Sequence, residues 1–219
     1  MPLNVTALNV ALDALDESAT QITHVGIIQL GTDPGTGVNS AGTEATGGSP
    51  AYARQPVVWG AAAAGVKQNT GALTFDVPAG TYAYFGWFNA LTGNTNNFRG
   101  SAPFGGASPL RGFASVDTTL TNDALLSPGH GLAANDRVIV YNVFGTALAT
   151  GLTEGVVYFA VNVTTDSFKL SLTSGGAAVD ITGLGGGELF WERVVPEVFA
   201  SQGQITVAIG SLSLDLTGV

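Results

Sequence analysis

Apolar positions recur along this chain with two periods. From Val5 to Ala19, VTALNVALDALDESA places Leu8, Ala11, Leu12 and Leu15 at helical spacing, with Asp13, Asp16 and Glu17 off that face. This predicts an amphipathic helix capped by Asn4 or Thr6. From Ile22 the period becomes that of strands, beginning with ITHVGIIQL. ARQPVVWG, GALTFDVPAG and TYAYFGWFNAL follow, each short, rich in β-branched or aromatic residues, and bounded by Gly, Pro or Asn. In LTFDV, Leu73, Phe75 and Val77 point one way and Thr74 and Asp76 the other. In TYAYFGWF both faces are apolar, which predicts a central strand or one whose second face meets a partner. Residues 92–112 are expected to form a loop. Strands are then predicted in DRVIVYNVF, GVVYFAVNV, SFKLSLT and GELFWERV, and in two pieces around Gly210 in GQITVAIGSLSLDLT. The pattern reads as all-β, a sandwich or barrel.

Composition narrows what such a fold can do. Hydrophobic residues make up 45% of the 219 and charged residues only 11%. The chain can bury a core, and its surface is either neutral, from Ala, Gly and Thr, or partly covered by other subunits. Net charge is −9 with seven Lys plus Arg, which leaves no basic face for nucleic acid or for an anionic membrane. No run of ~18 apolar residues predicts a membrane-spanning helix. MPLNVTALNV lacks a basic start and an apolar stretch, and is expected not to be a secretory signal. Without cysteine there is neither a disulfide nor a thiolate metal site.

The densest turn chemistry lies in LGTDPGTGVNSAGTEATGGSPAYARQPVVWG, residues 30–60, which holds the carboxylates Asp33 and Glu44. It has no G-x-G-x-x-G and no phosphate-loop lysine, and it lacks the alternating acidic ladder of a Ca²⁺ loop. No serine sits in a nucleophile-elbow context. The two histidines, His24 and His130, have no zinc spacing and are expected to be hydrogen-bonded structural groups, His130 fixing the loop before Asp136. Glycoside hydrolysis needs two carboxylates roughly 5 to 9 Å apart, and Asp33, Glu44, Asp76, Asp117 and Asp123 are the scattered candidates. Tyr82, Tyr84, Phe85, Trp87 and Phe88 suit either the core of a central strand or a sugar-stacking platform. Arg54, one of few cations, is expected to pair with a carboxylate, buried or at an interface. Catalytic, cofactor and metal residues are therefore expected to be absent. Asp33, Glu44, Tyr52, Arg54 and Trp87 are the candidate assembly or ligand contacts.

The motifs in order carry a resemblance. His24-Val25 opens a strand that enters the loop containing Asp33-Pro34-Gly35. Tyr52-Ala53-Arg54-Gln55 precedes Trp59, and Phe75, Val77-Pro78-Ala79-Gly80-Thr81 precede the aromatic strand. The chain then closes on PEVFASQGQITVAIGSLSLDLT. This resembles a family of tail-fibre-like or minor tail proteins of actinobacterial phages, over roughly residues 8–102 and 195–217. Between them, Gly131, Leu132, Asp136, Val138, Gly151, Leu152, Gly155, Tyr158, Phe168, Leu170, Ser171, Gly175, Gly176 and Asp180 are similar to a small β-module common in phage tail proteins. Loops tolerate such insertions because closure entropy grows slowly with length, provided the guest's ends lie close together.

The expectations are these. A β-sandwich (jelly-roll-like) domain with a short N-terminal helix comprises residues 1–113 and 194–219, and a small β-barrel-like domain is inserted at 114–193. The resemblance implies a non-enzymatic structural component of a virion, on the particle exterior, tail-associated or fibre-like. It would act through contacts with its own copies and other phage structural proteins, and the inserted module would touch the host-surface glycan. Alternatives are a capsid decoration protein attached to the major capsid protein through its N-terminal helix or extended N-terminus, and a carbohydrate-binding module or cell-wall hydrolase. The loop of residues 30–60 is expected to turn at Asp33-Pro34-Gly35, to be held by a neighbouring subunit and to be mobile without one.

Overall fold

The computed structural model describes residues 9, 11–13, 21–31, 33–35, 37–105, 109–142 and 147–215. Nearly all regular structure is β. The chain divides into two compact units. The first holds Met1–Gln29, Pro34–Ala102 and Glu197–Val219, and the second Leu30–Asp33 and Pro103–Pro196.

The first unit is built on a curled five-stranded sheet containing β1 (His24–Gln29), β2 (Gln55–Pro56), β5 (Gly80–Phe88), β6 (Phe98–Pro103) and β13 (Glu197–Phe199). β5 lies between β1 and β13 and also pairs with β6, the central position that its two apolar faces predicted. Two antiparallel ribbons complete the unit: β4 (Leu73–Val77) with β14 (Gly203–Val207), and β3 (Val66–Gln68) with β15 (Ser213–Asp215). The alternation seen in LTFDV holds, with Leu73, Phe75 and Val77 buried against Ile205 and Val207 in the core.

At the N-terminus Asn9 and residues 11–13 are helical. Asn9 and Asp13, four residues apart, lie on one helix face. Asn9 Oδ1 accepts the Gly65 N–H (2.8 Å), and Asp13 Oδ1 accepts the Ala62 N–H and the buried Lys67 ammonium (2.9 Å each). The expected continuation to Ala19 and the cap at Asn4 or Thr6 lie outside the described residues.

The second unit is a closed six-stranded barrel of order β10-β11-β8-β7-β12-β9. Its strands are β7 (Arg111–Val116), β8 (Leu125–Leu126), β9 (Arg137–Asn142), β10 (Tyr158–Val161), β11 (Ser167–Ser171) and β12 (Glu188–Val194). Closure removes exposed strand edges. The interior is filled by Val138, Val140, Tyr158, Phe168, Leu170, Leu189 and Trp191 among others. Both expected domain boundaries, after Phe113 and after Arg193, fall inside barrel strands, β7 and β12. β7 and β12 are each laddered to neighbours along their length and belong whole to the barrel, so the unit's main stretch extends beyond both expected boundaries, to Pro103–Pro196. The loop expected over 92–112 also contains strands, β6 and the start of β7. Gly, Ser and Pro hide them in the sequence, and pairing to β5 and β12 creates them.

Candidate functional site

The densest polar constellation of the first unit starts from two glycines. In the β1–β5 register Gly26 lies opposite Gly86. With no side chain at either position, the Phe88 ring folds down over the backbone. A Cβ added at Gly26 would meet that ring at 2.9 Å, and one added at Gly86 at 2.7 Å. On the ring sits the Arg54 guanidinium, its Cζ 3.4 Å from the centroid, in a cation–π stack.

Arg54 is 4% exposed, and its donors are directed at acceptors around it. Nε and Nη2 grip Glu44 Oε1 and Oε2 at 2.8 and 2.7 Å, a two-pronged charge-assisted pair. Nη1 donates to the Ala90 carbonyl (2.9 Å) and Nη2 to that of Gly93 (2.7 Å). The carboxylate that Arg54 was expected to find is therefore Glu44. The pair ties the turn after β5 to the loop of residues 37–54.

Tyr52 closes the network. Its hydroxyl donates to Glu44 Oε1 (2.9 Å) and accepts the Ile27 N–H (2.8 Å). Burial, and then the adjacent Glu44 charge, push its phenol pKa well above the usual tyrosine range, so the hydroxyl stays a donor. The outer edge of β1 is thereby sealed: Val25 pairs with Gln55, Ile27 meets the phenol and Ala45, and the Gln29 N–H donates to the Thr43 carbonyl at 2.8 Å. A phenol stands where a strand would otherwise continue. Both Glu44 oxygens are engaged, so this arrangement locks a loop rather than moving a proton. The loop, expected to be held by a neighbouring subunit and mobile without one, is held from within by its own Glu44, Tyr52 and Arg54. Nearby, His24 Nδ1 lies 2.8 Å from Thr23 Oγ1. Burial, and then the Arg54 charge, push the His24 pKa down, a structural histidine.

The other two candidates lie elsewhere. Trp87 is 7% exposed, edge-on to Trp59 and stacked on Phe85. With Tyr82, Tyr84 and Phe88 also buried, this strand is core and offers no sugar-stacking platform. Asp33 is buried in the second unit, its N–H donating to the Gly155 carbonyl at 3.2 Å. The expected turn at Asp33-Pro34-Gly35 is instead the point where the chain passes from one unit to the other. Glu192 of β12 feels Asp33: burial raises its carboxyl pKa, Arg111 opposes this and Asp33 adds to it. Asp76, Asp117 and Asp123 each accept a structural hydrogen bond, from Gln204, Asn122 and the Ile181 N–H respectively. Among the described residues no group of three or more His, Asp or Glu is placed to hold a metal ion.

Inside the barrel His130 accepts the Leu132 N–H on Nδ1 (3.0 Å), so Nε2 carries the proton and faces the Ser167 carbonyl (3.3 Å). It fixes the loop before Asp136, as expected. Its ring meets Phe168 and Trp191 edge-on, and Trp191 Nε1 donates to Ser127 Oγ (3.0 Å).

On the outside lies a feature that the sequence pattern did not expose. Phe113, Phe190 and Tyr141 are cross-strand partners on β7, β12 and β9, with centroids 5.3 and 6.4 Å apart. The alternation in RGFASV and ELFWERV points each ring outward, but only the register sets them in one row. No family model, curated protein or solved structure matches this chain, so the resemblance to phage tail proteins rests on its motifs alone.

Proposed function

We propose that the chain is a structural component of a bacteriophage virion, tail-associated or fibre-like, acting through contacts with its own copies and with other particle proteins. The observation that carries the reading is the Glu44–Tyr52–Arg54 lock. The motif residues Tyr52 and Arg54 have an architectural role: they turn a Gly- and Thr-rich stretch into a fixed surface. Fixed loops of small neutral residues suit repeated contact, because little ordering entropy is lost when they dock. Exposed apolar residues on a weakly charged surface, among them Val38, Val58, Val198 and Ile209, support the same reading.

Capsid decoration is the second reading. It is weakened where it relies on a free helix, since Asn9 and Asp13 hold that helix to residues 62–67 of the same chain. The test is the position of the chain in purified particles by cryo-electron microscopy. Density along the tail or its fibres is the expected result. Density on the capsomers would transfer the chain to the decoration role. A soluble chain that binds or cleaves wall polymer, with no particle density, would overturn both.

A further inference from the structure

We propose that the outer face of the barrel formed by β8, β7, β12 and β9 is a self-association surface whose partner is the same face of a second copy. This deepens the assembly reading and rests on it. The face has an apolar centre, the row Phe113–Phe190–Tyr141, with Phe113 52% exposed and Leu126 of β8 exposed beside it. Cross-strand ring pairing accounts for the contacts within the row. It does not account for leaving the outermost ring and a neighbouring leucine in water.

The charges commit the face to one occupant. Along the outward positions, Arg111 lies one step from Phe113 at one end of β7, and Glu188 lies one step from Phe190 at the opposite end of β12. The strand rise puts these two about 13 Å apart along the sheet. Arg111's side chain is 60% exposed and lies a long 3.9 Å from the carboxylate of its cross-strand neighbour Glu192, which is itself only 19% exposed. Glu188 is exposed. A patch with a cation at one end, an anion at the other and aromatics between is complementary to itself under a two-fold rotation. Two such faces stack with antiparallel strands crossing at about 30°, as packed sheets do. Arg111 of each copy then lies over Glu188 of the other, and the rings meet at the axis. Such an isologous contact closes at two.

Ile139 and Val194, on the same face at and beyond the level of Arg111, are buried, so the open face is smaller than four strands by five residues, under roughly 350 Å² per copy and well below the ~800 Å² per partner of a standard interface. The contact is therefore weak alone and gains strength where an assembly holds copies close.

The test is sedimentation of the full chain from about 10 µM to 1 mM. A reversible monomer–dimer equilibrium is expected. Arg111→Glu and Glu188→Arg should each weaken it at least tenfold, and the double exchange should restore it to within about threefold. Phe113→Ser, whose side chain lies outside the core, should abolish it with the circular dichroism spectrum unchanged. A chain monomeric to 1 mM overturns the inference, as does a dimer indifferent to these changes or a double exchange that fails to rescue folded protein. A monomer whose Phe113 and Tyr141 NMR signals move on adding cell-wall oligosaccharide would assign the face to a glycan and overturn it too. None of these outcomes bears on where the chain sits in a particle, so the virion reading is tested separately.

Discussion

Replacing Arg54 by Met keeps an unbranched apolar stem over Phe88 and removes the guanidinium. Four hydrogen bonds are lost: two to Glu44, one to the Ala90 carbonyl and one to that of Gly93. The carbonyls belong to a turn that water can reach, and the thioether retains part of the ring contact. The main loss lies at Glu44, whose side chain is 24% exposed. Its carboxylate keeps the Tyr52 hydroxyl and whatever water it can recruit. Breaking a buried pair by removing one partner costs roughly 3–5 kcal/mol, and the partial exposure of Glu44 puts this variant at the lower end, about 3 kcal/mol. Hydrogen exchange resolved by peptide and followed through a denaturant series measures this for each unit. The amides of Ile27, Gln29 and Ala45, which depend on Tyr52 and on residues 43–45, should lose protection first, while barrel peptides stay unchanged. Adding Glu44→Gln to Arg54→Met should cost less than the sum of the two single changes by more than 1 kcal/mol, because the neutral amide removes an unpaired charge. A single-variant loss below 1 kcal/mol, or strict additivity, would refute the view that this pair holds the loop.

Glu192→Gln should raise barrel stability at neutral pH. The folded carboxyl pKa lies above its ordinary 4.5, so the folded state binds the proton more tightly than the unfolded chain. The resulting penalty is absent below about pH 4 and grows as pH rises through the folded pKa. Melting curves at pH 4 and pH 7 should show the gain only at pH 7. Gly151→Ala should destabilise the barrel by roughly 3 kcal/mol. Gly151 has φ +110°, and an added Cβ would run into the Asp180 carbonyl oxygen; urea titration reads the loss. Asp13→Ala should speed exchange of the Ala62 amide by about tenfold, the worth of one hydrogen bond, while Gly65, held by Asn9, changes less. Equal loss at both amides would mean that the helix undocks as a whole.

The strands most legible in the sequence were those whose alternation is strict and locally bounded. LTFDV, RVIVYN and ELFWERV each became a ladder inside its expected segment. β6, FRGSAP, was not legible because nothing in its composition favours extension; it is a strand through its pairing with β5. For the site, Arg54 announced itself as a rare cation in need of an acid. Why Glu44 rather than Asp33 or Asp76 depends on the β1–β5 register, which opposes Gly26 to Gly86 and makes room for Phe88. The aromatic row was invisible for the same reason. Phe113, Tyr141 and Phe190 are far apart in the chain, and only barrel closure brings β7, β12 and β9 side by side.

The first and last strands of the barrel are neighbours, and beyond them the Val195 N–H donates to the Phe104 carbonyl at 2.7 Å. This arrangement has a mechanical meaning. Tension applied to the chain through residues 103 and 196 meets β7 and β12 at their common end. It opens their ladder one rung after another, from Arg111–Glu192 toward Ser115–Glu188, instead of shearing all rungs together. Peeling of this kind yields at lower force than shear. Each barrel that opens pays out about 300 Å of chain, and on relaxation the seam can zip again from the same end. A protein wired in this way can lengthen under load.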